Sequence, residues 1–416
     1  MSKIDELIQE LCPGGVPGRQ LGEFLVEQRT RAGAASNHPV FGISNSDGFL
    51  PSEEMFAKSR ASQDISNYKV VSPNDFAYNP SRINVGSIAR QSHPTAVLVS
   101  PMYIAFSLSK SLDVRYFEYF LSSSAFKSQM LSGIEVGARF RFTFESLSEV
   151  VIQAPPIEVQ KEIVAILDKF TRLEAELEAE LEARRTQYEV TRERLLDFTS
   201  ELEAHPLRAM IRELSPYGIS VVPISRLTTR VKSVNWKEAE GAEFSYLDLA
   251  SIDLQTKRIG ELKTVDQNSA PSRARQLVQA GDVLFATTRP LQLRTYLVPT
   301  GPYFIASTGY CVLRMTGEDL MPQFLKHVLN TREFAKFIEQ NQSTGNYPSV
   351  SDSIVKSYGL PLPPLEMQKE IVSILDKLDD LVNDITIGLP AEIAARRKQY
   401  EYYRNRLLSF KELDAA

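Results

Sequence analysis

The residue groups best suited to covalent chemistry are few, and each is poorly set for it. Asn79-Pro80-Ser81-Arg82 approaches the Asn-Pro-Pro-aromatic box of an amino-methyltransferase, but it lacks the second proline and the ring that would clamp a flipped base. Asp253 followed by Glu261-Leu262-Lys263 imitates the carboxylates and lysine around a nuclease metal. A single Glu-x-Lys is common by chance, and the stretch between them reads as a polar hairpin, so exposed surface charge is the better explanation. Cys12 and Cys311 lie too far apart in sequence for a CxxC site, and His38, His93, His205 and His327 make no HxxxH. There is no GxxxxGK[ST] loop, no GxGxxG after a strand, and no glycine-flanked serine elbow. These patterns predict a chain with no catalytic centre, no metal and no cofactor of its own.

What organises the chain is a repeat. QKEIVAILDK, from Gln160, returns as QKEIVSILDK from Gln368, matching at nine of ten positions at an offset of 208. ARRTQYEVTRERLLDF, from Ala183, returns as ARRKQYEYYRNRLLSF from Ala395, matching at eleven of sixteen, now at an offset of 212. The second copy has gained four residues. Prolines precede each copy, as suits a strand exit and a helix first turn: APPIEVQ from Ala154 and LPPLEMQ from Leu362. LIQELCPGGV (7–16) faintly resembles MIRELSPYGI (210–219). The chain thus reads as globular unit, long helix, globular unit, long helix.

Heptad spacing predicts a coiled-coil seam. It runs through Ile166, Phe170, Leu173 and Leu177, then Leu181, Tyr188 and Leu195; in the second copy it runs through Ile371, Ile374, Leu378, Leu381 and Ile385, then Ile393, Tyr400 and Leu407. Four added residues turn a helix by about 400° and so keep the same face. Gly388 and Pro390 fall inside the insertion, and proline in a helix interior costs about 3 kcal/mol, so a kink or break is expected there. The two helices are expected to lie antiparallel over roughly 65 Å, with the globular units at opposite ends. LEAELEAELEA (173–183) is a tandem four-residue unit. Each unit would add about 6 Å of helix, close to two base pairs of DNA, so their number could act as a ruler; the plainer reading is that Ala, Leu and Glu are good helix formers.

The globular units share strand-rich texture and little sequence. NDFAYNPSR (74–82) and GDVLFATTR (281–289) occupy matching places, and Phe126 and Phe334 match at the offset of 208. The scaffold repeats while the loops differ, which is what a pseudo-dimer needs if each half recognises something different.

These features resemble the specificity subunits of type I restriction-modification systems. The resemblance is carried by the tandem architecture, by PLPPLEMQKEIVSILDKLDDLV (361–382) with its partner at 155–173, by GLPAEIAARRKQYEYYRNRLL (388–408) and by IDELIQELCPGGV (4–16). It covers essentially the whole chain. It implies an α+β fold in which two tandem target recognition domains, 1–153 and 205–361, are separated by the family's two conserved helical regions, 154–204 and 362–416. Those helices would pack as an antiparallel coiled coil with pseudo-two-fold symmetry. It also implies a non-catalytic subunit, each domain reading one half of a bipartite, asymmetric site in double-stranded DNA. The helices would set the spacing and dock methyltransferase subunits, two of them, to which restriction subunits add. S-adenosylmethionine, ATP and Mg would then belong to the partner subunits.

Base edges are read by Arg, Asn or Gln on rigid loops, and phosphates by Lys, Arg and hydroxyls. In the first unit the candidates are Arg82 and Asn84, just after the matched strand, and Arg139 and Arg141 among the phenylalanines of GIEVGARFRF (133–142). In the second they are Arg289, Gln292 and Arg294 in TTRPLQLR and Asn346 and Tyr347 in STGNYPS. Arg184, Arg185, Arg396 and Arg397 on the helices offer pairing with methyltransferase or with neighbouring glutamates, and a solvated helix face is the plainer reading. The competing reading is a coiled-coil scaffold that binds proteins and recognises no DNA.

Composition first argues against nucleic acid, then for it. Across 416 residues, 47 basic against 52 acidic groups leave a net charge of −5. By segment the net charge is −1 over 1–153, −6 over 154–204, +4 over 205–361 and −2 over 362–416. The acidity lives in the helices, so weak DNA binding completed by partner subunits is expected. No apolar run reaches the roughly 20 residues that span a bilayer, and MSKIDELIQEL reads as a charged amphipathic helix rather than a signal peptide, so a cytoplasmic protein with no membrane partner is expected.

Overall fold

The computed structural model describes residues 3–34, 36–45, 47–55, 64–132, 141–199, 204–254, 256–301 and 303–410. The first half runs α1 (Lys3–Leu11), β1 (Gly18–Gln20), β2 (Leu25–Gln28), β3 (Phe41–Ser44), β4 (Gly48–Pro51), α2 (Ser52–Met55), β5 (Lys69–Val71), β6 (Phe76–Tyr78), β7 (Ile88–Arg90), β8 (Val97–Val99), β9 (Ile104–Leu108), α3 (Val114–Ser122), α4 (Ser124–Ser132), α5 (Phe144–Glu149), β10 (Val151–Gln153) and α6 (Ile157–Leu196). The second runs α7 (Arg208–Leu214), β11 (Ser220–Pro223), α8 (Ile224–Leu227), β12 (Thr228–Thr229), β13 (Phe244–Leu247), β14 (Lys263–Val265), β15 (Ala274–Val278), β16 (Val283–Ala286), β17 (Thr295–Leu297), β18 (Phe304–Ser307), β19 (Tyr310–Met315), α9 (Pro322–Val328), α10 (Arg332–Asn341), α11 (Asp352–Ser357), β20 (Gly359–Leu362), α12 (Leu365–Asn383) and α13 (Leu389–Leu407). Packing divides the chain into two compact units: Met1–Ala175 with Ala395–Ala416, and Glu176–Ala394. The first unit therefore draws its helices from two separate stretches of chain, while the second is one continuous stretch.

The same sheet is built twice. In the first unit the antiparallel order is β2-β9-β6-β7, and in the second it is β12-β19-β16-β17. A second antiparallel pair closes each domain, β1 with β10 and β11 with β20. The central strands Phe76–Tyr78 and Val283–Ala286 are buried at every position, as suits strands covered on both faces. What differs is the extra sheet. The first unit adds the pairs β3-β4 and β5-β8; the second adds the four-stranded β14-β13-β18-β15, in which β13 and β18 run parallel.

The helices after the sheets repeat in their caps as well as their positions. Thr143 and Ser351, equivalent in the repeat, cap α5 and α11 by accepting from the N–H of Ser146 and Ile354. The hydroxyls of Ser123 and Thr331 accept from the N–H of Phe126 and Phe334, which sets both phenylalanines into their cores. Burial of both rings in their cores accounts for the match in otherwise divergent sequence.

The long helices follow the same logic. In α6, Val159, Ile163 and Leu167 are buried, and in α12 their counterparts Met367, Ile371 and Leu375 are buried as well. Within the first unit α13 runs antiparallel to α6. Phe170 meets the rings of Tyr400 and Tyr403 at 6.3 and 5.6 Å, while Glu174, further along α6, pairs at 2.6 Å with Arg397, further back along α13.

The seam is shorter than heptad counting suggests. Leu173 is 49% exposed and Ile385 69% exposed. The expected break falls at the insertion: α12 ends at Asn383, and the carboxylate of Asp384 takes the N–H groups of Thr386 and Ile387 in a tight turn. Gly388 is required at that turn, because a Cβ there would stand 2.5 Å from the Asp380 carbonyl oxygen. Ile385 therefore sits in a turn rather than on a helix face. Pro390 falls in the first turn of α13, where its missing N–H costs nothing.

Candidate nucleic-acid interface

In the second unit the buried strand β16 delivers the chain to Thr287, whose hydroxyl donates to the Gly309 carbonyl and anchors the following loop. Backbone bonds then sew that loop to a second one. The Arg289 N–H donates to the Pro348 carbonyl at 2.8 Å, the Val350 N–H donates to the Thr287 carbonyl at 2.9 Å, and Thr288 bridges Ser349. The loops 287–294 and 343–350, far apart in sequence, thus form one rigid edge. Arg289 and Leu293 sit in the left-handed region, at φ of 50° and 45°, on either side of a short 3-10 turn. Non-glycine residues pay for that conformation, and such strain gathers at functional sites.

Four of the five expected side chains in this unit lie exposed on that edge. The Arg289 guanidinium lies over the ring of Tyr347, 5.5 Å from its centroid, and Tyr347 is 73% exposed; Asn346 and Gln292 also face solvent. Arg294 is half-buried and donates to the Gln292 carboxamide at 3.3 Å. A further cation joins them that the sequence did not single out. Lys257, on a separate loop at φ 55°, donates from Nζ to the Gln292 carbonyl at 2.7 Å. Burial, with Arg294 nearby, pushes its ammonium down to about 8. Nothing local in the sequence around Lys257 marks it, because its role arises from a contact with a distant loop.

The first unit builds the corresponding edge from β6. Asn79 is buried, and its side-chain oxygen accepts from the Ser81 N–H, so the residue that resembled a methyltransferase asparagine is a turn-maker. Asp253, in the nuclease-like set, likewise accepts from the Thr256 N–H and hydroxyl in a local turn. After Asn79, exposed Arg82 and Asn84 flank buried Ile83 in a 3-10 turn that Gly86 closes at φ 93°. A Cβ on Gly86 would stand 2.9 Å from the Asn45 carbonyl oxygen, so glycine permits both the turn and its close packing. The Phe142 N–H donates to the Pro80 carbonyl, which brings exposed Arg141 beside this turn. Arg139 lies outside the described residues. The bond from Phe142 to Pro80 in one unit and that from Val350 to Thr287 in the other join the same two loops.

The helix arginines pair along their own helices and with each other's acids. Arg184 contacts Glu180 and Gln187, Arg185 lies 3.8 Å from Glu182, Arg396 donates to Gln399, and Arg397 binds Glu174. Among the described residues no three His, Cys, Asp or Glu side chains are grouped to hold a metal ion, and no helix is long and apolar enough to cross a membrane.

Comparison with known proteins agrees with this architecture. The chain is 29% identical over 259 residues to the specificity subunit of the EcoR124I/EcoR124II type I restriction enzyme of Escherichia coli, covering 61% of this chain and 60% of that one, so it spans less than two thirds of that relative's length. It is 28% identical over 316 residues to a putative type I restriction enzyme specificity subunit of Haemophilus influenzae, covering 72% and 73% of the two chains. Among solved structures, a chain from a study of assembly and conformational transition in the type I R-M system aligns with a TM-score of 0.59 at 16% identity, over 96% of this chain and 98% of that one. The HsdS subunit of Thermoanaerobacter tengcongensis aligns with a TM-score of 0.52 at 17% identity, over 96% and 97%. These two likenesses concern the fold. The sequence model for the type I restriction modification DNA specificity domain matches residues 55–183 and 274–395, one stretch in each half and together more than half of the chain. By that duplicated match the protein belongs to the family of type I restriction modification DNA specificity domains.

Proposed function

We propose that this chain is the DNA-sequence specificity subunit of a type I restriction-modification complex and carries no catalytic residues of its own. One observation carries the reading. Two copies of a single scaffold present two sewn loop pairs at equivalent places, and beyond the arginine they share at Arg82 and Arg289 the loops carry different candidate reading residues. A duplicated frame with unlike contact residues suits a bipartite, asymmetric target.

Residues 1–153 and 205–361 act as the two target recognition domains; 154–204 and 362–416 are the helical spacers that dock two methyltransferase subunits. Arg82, Asn84, Arg139 and Arg141 read one half-site, and Arg289, Gln292, Arg294, Asn346 and Tyr347 read the other. S-adenosylmethionine, ATP and Mg are bound by the partner subunits, restriction subunits join through the assembled complex, and the assembly works in the cytoplasm.

The test is a methylome recorded with and without the gene. Loss of one two-part, asymmetric methylated motif on deletion, with its return on complementation, is the expected result. An unchanged methylome, together with no DNA affinity when methyltransferase is present, would leave the protein-binding scaffold in its place.

A further inference from the structure

Arg404, on α13, is a buried cation without a counter-ion. It is 9% exposed, its guanidinium lies 5.3 Å from the centroid of Tyr400, and its Nε has no hydrogen-bond partner. Among the described residues no carboxylate pairs with it. A cation withdrawn from water and left unpaired is costly, and so marks a place where an anion is expected.

A similar arrangement, differing by one loose ion pair, occurs in the second unit. Arg192, the repeat equivalent of Arg404 on α6, has a side chain only 14% exposed, lies 5.2 Å from the centroid of Tyr188, and also has an Nε with no hydrogen-bond partner. Glu193 forms a loose ion pair with it at 3.8 Å, and that carboxylate is shared with the Arg332 N–H at 3.0 Å.

Each arginine opens onto a cleft in its own unit. Arg404 faces one of about 490 Å³, bounded by Gly86 and Ile88 of the turn that carries Asn84, with Lys127 at its rim. Arg192 faces one of about 440 Å³, bounded by Leu291 and Gln292 of the loop that carries Arg289 and Arg294, with Lys257 on its wall. The more buried acids in these clefts are already engaged. Glu118 is held by Arg90 at 3.0 Å and Arg115 at 2.7 Å, and Asp379 is held by Lys326 at 3.2 Å. Asp47 in the first cleft, and Glu182 and Glu189 in the second, are solvent-exposed.

We propose that Arg404 and Arg192 are equivalent receptors for a backbone phosphate of duplex DNA, each holding the strand whose bases the adjoining loop reads. The inference rests on the DNA-reading assignment above and extends it from the loops to the helices. Apart from the arginine at 82 and 289 the reading residues differ between the two halves, while this arginine and its tyrosine are the same. A shared receptor beside unlike readers suits the part of DNA that carries no sequence. A guanidinium stacked on a ring is also pre-organised for the paired oxygens of a phosphodiester.

The experiment uses the complex of the full chain with its methyltransferase, and measures binding to a motif-bearing duplex and a random duplex over a series of salt concentrations. R404Q and R192Q are each expected to weaken both duplexes by the same factor and to lower the slope of log affinity against log salt by about one. The double variant should lower it by about two, with the methylated motif and methyltransferase retention unchanged. Should R404Q fail to fold, K127Q and K257Q, at the two clefts, are expected to lower the slope as well. A slope unchanged in all these variants overturns the phosphate site and leaves the reading of the loops intact. Loss of methyltransferase with DNA affinity preserved also overturns it, because the occupant is then a carboxylate of the partner. A wild-type complex without DNA affinity overturns the reading beneath the proposal and the proposal with it.

Discussion

Gln160 and Gln368 are each fully buried and make the same three hydrogen bonds, to backbone groups that are themselves equivalent in the repeat. The Gln160 carboxamide oxygen accepts from the Asp113 N–H, and its nitrogen donates to the carbonyls of Ser111 and Pro155. The Gln368 oxygen accepts from the Met321 N–H, and its nitrogen donates to the carbonyls of Asp319 and Pro363. Each glutamine thus fastens the first turn of a long helix to the loop before α3 or α9. The repeated QKEIV segment is preserved in structure by hydrogen bonding as well as by packing.

Gln160→Ala leaves one N–H and two carbonyls without that partner at a buried junction. At about 1–3 kcal/mol for each orphaned group, the loss is expected to be roughly 3 kcal/mol or more. Chemical denaturation of the full chain measures it, and Gln368→Ala should behave alike. A midpoint shift worth less than about 1 kcal/mol for either variant would mean that water takes over the glutamine's bonds.

Tyr119 and His327 are likewise equivalent in the repeat and fill one role with different chemistry. The Tyr119 hydroxyl donates to Asp168 at 2.5 Å and its ring meets Tyr400; the His327 Nε2 contacts Asp376 at 2.7 Å and its ring meets Tyr188. Burial is the main influence on His327 and holds its pKa below 6.5 against Asp376 and Asp379, with Lys326 adding to the lowering. The unfolded chain therefore binds a proton at higher pH than the folded one does. Stability of the second unit should fall as pH drops below about 6.5 and recover above it. Melting of wild type and His327→Tyr at pH values about one unit below and above that point checks this. The variant is expected to lose less on acidification, and equal losses would show that His327 does not govern the dependence.

The sewn loops predict separable readers. Arg289→Gln or Asn346→Ala should relax one position of one half-site by about 1–3 kcal/mol of discrimination and leave the other half-site untouched. Arg82→Gln or Asn84→Ala should affect the other half-site only. Methylome motifs of the four variants decide it. A variant that alters both half-sites, or weakens all sequences equally, identifies a phosphate contact rather than a base reader.

Between residues 171 and 187 most of α6 is exposed, which includes the LEAE units, so length can change there with little loss of core. Deleting one four-residue unit shortens the helix by about 6 Å and is expected to reduce the spacer of the recognised motif by about two base pairs, both half-sites being kept. An unchanged spacer removes the ruler.

Much of the scaffold was legible because a repeat states the same structural demand twice. Its offset carries over to caps, buried helix positions and sheet order, and the break around Gly388 followed from glycine and proline chemistry. The extent of the seam was not legible. Heptad spacing reports which face of a helix is apolar, but Leu173 and Ile385 show that it does not report whether anything covers that face. For the candidate site, the sequence supplied residue types on loops, and the structure brought together 287–294 and 343–350.

By itself, then, the sequence determined the duplicated frame, the position of the helices and the absence of the familiar catalytic motifs, all of which are local or periodic patterns. Only the tertiary structure decided that Lys257 joins the loop of Gln292, that Asn79 is a turn-maker, and that Arg404 is buried with no counter-ion among the described residues. The physical reason is that burial and charge pairing depend on which distant segments meet. A side chain's neighbours across the fold, not along the chain, set its dielectric surroundings and its partners.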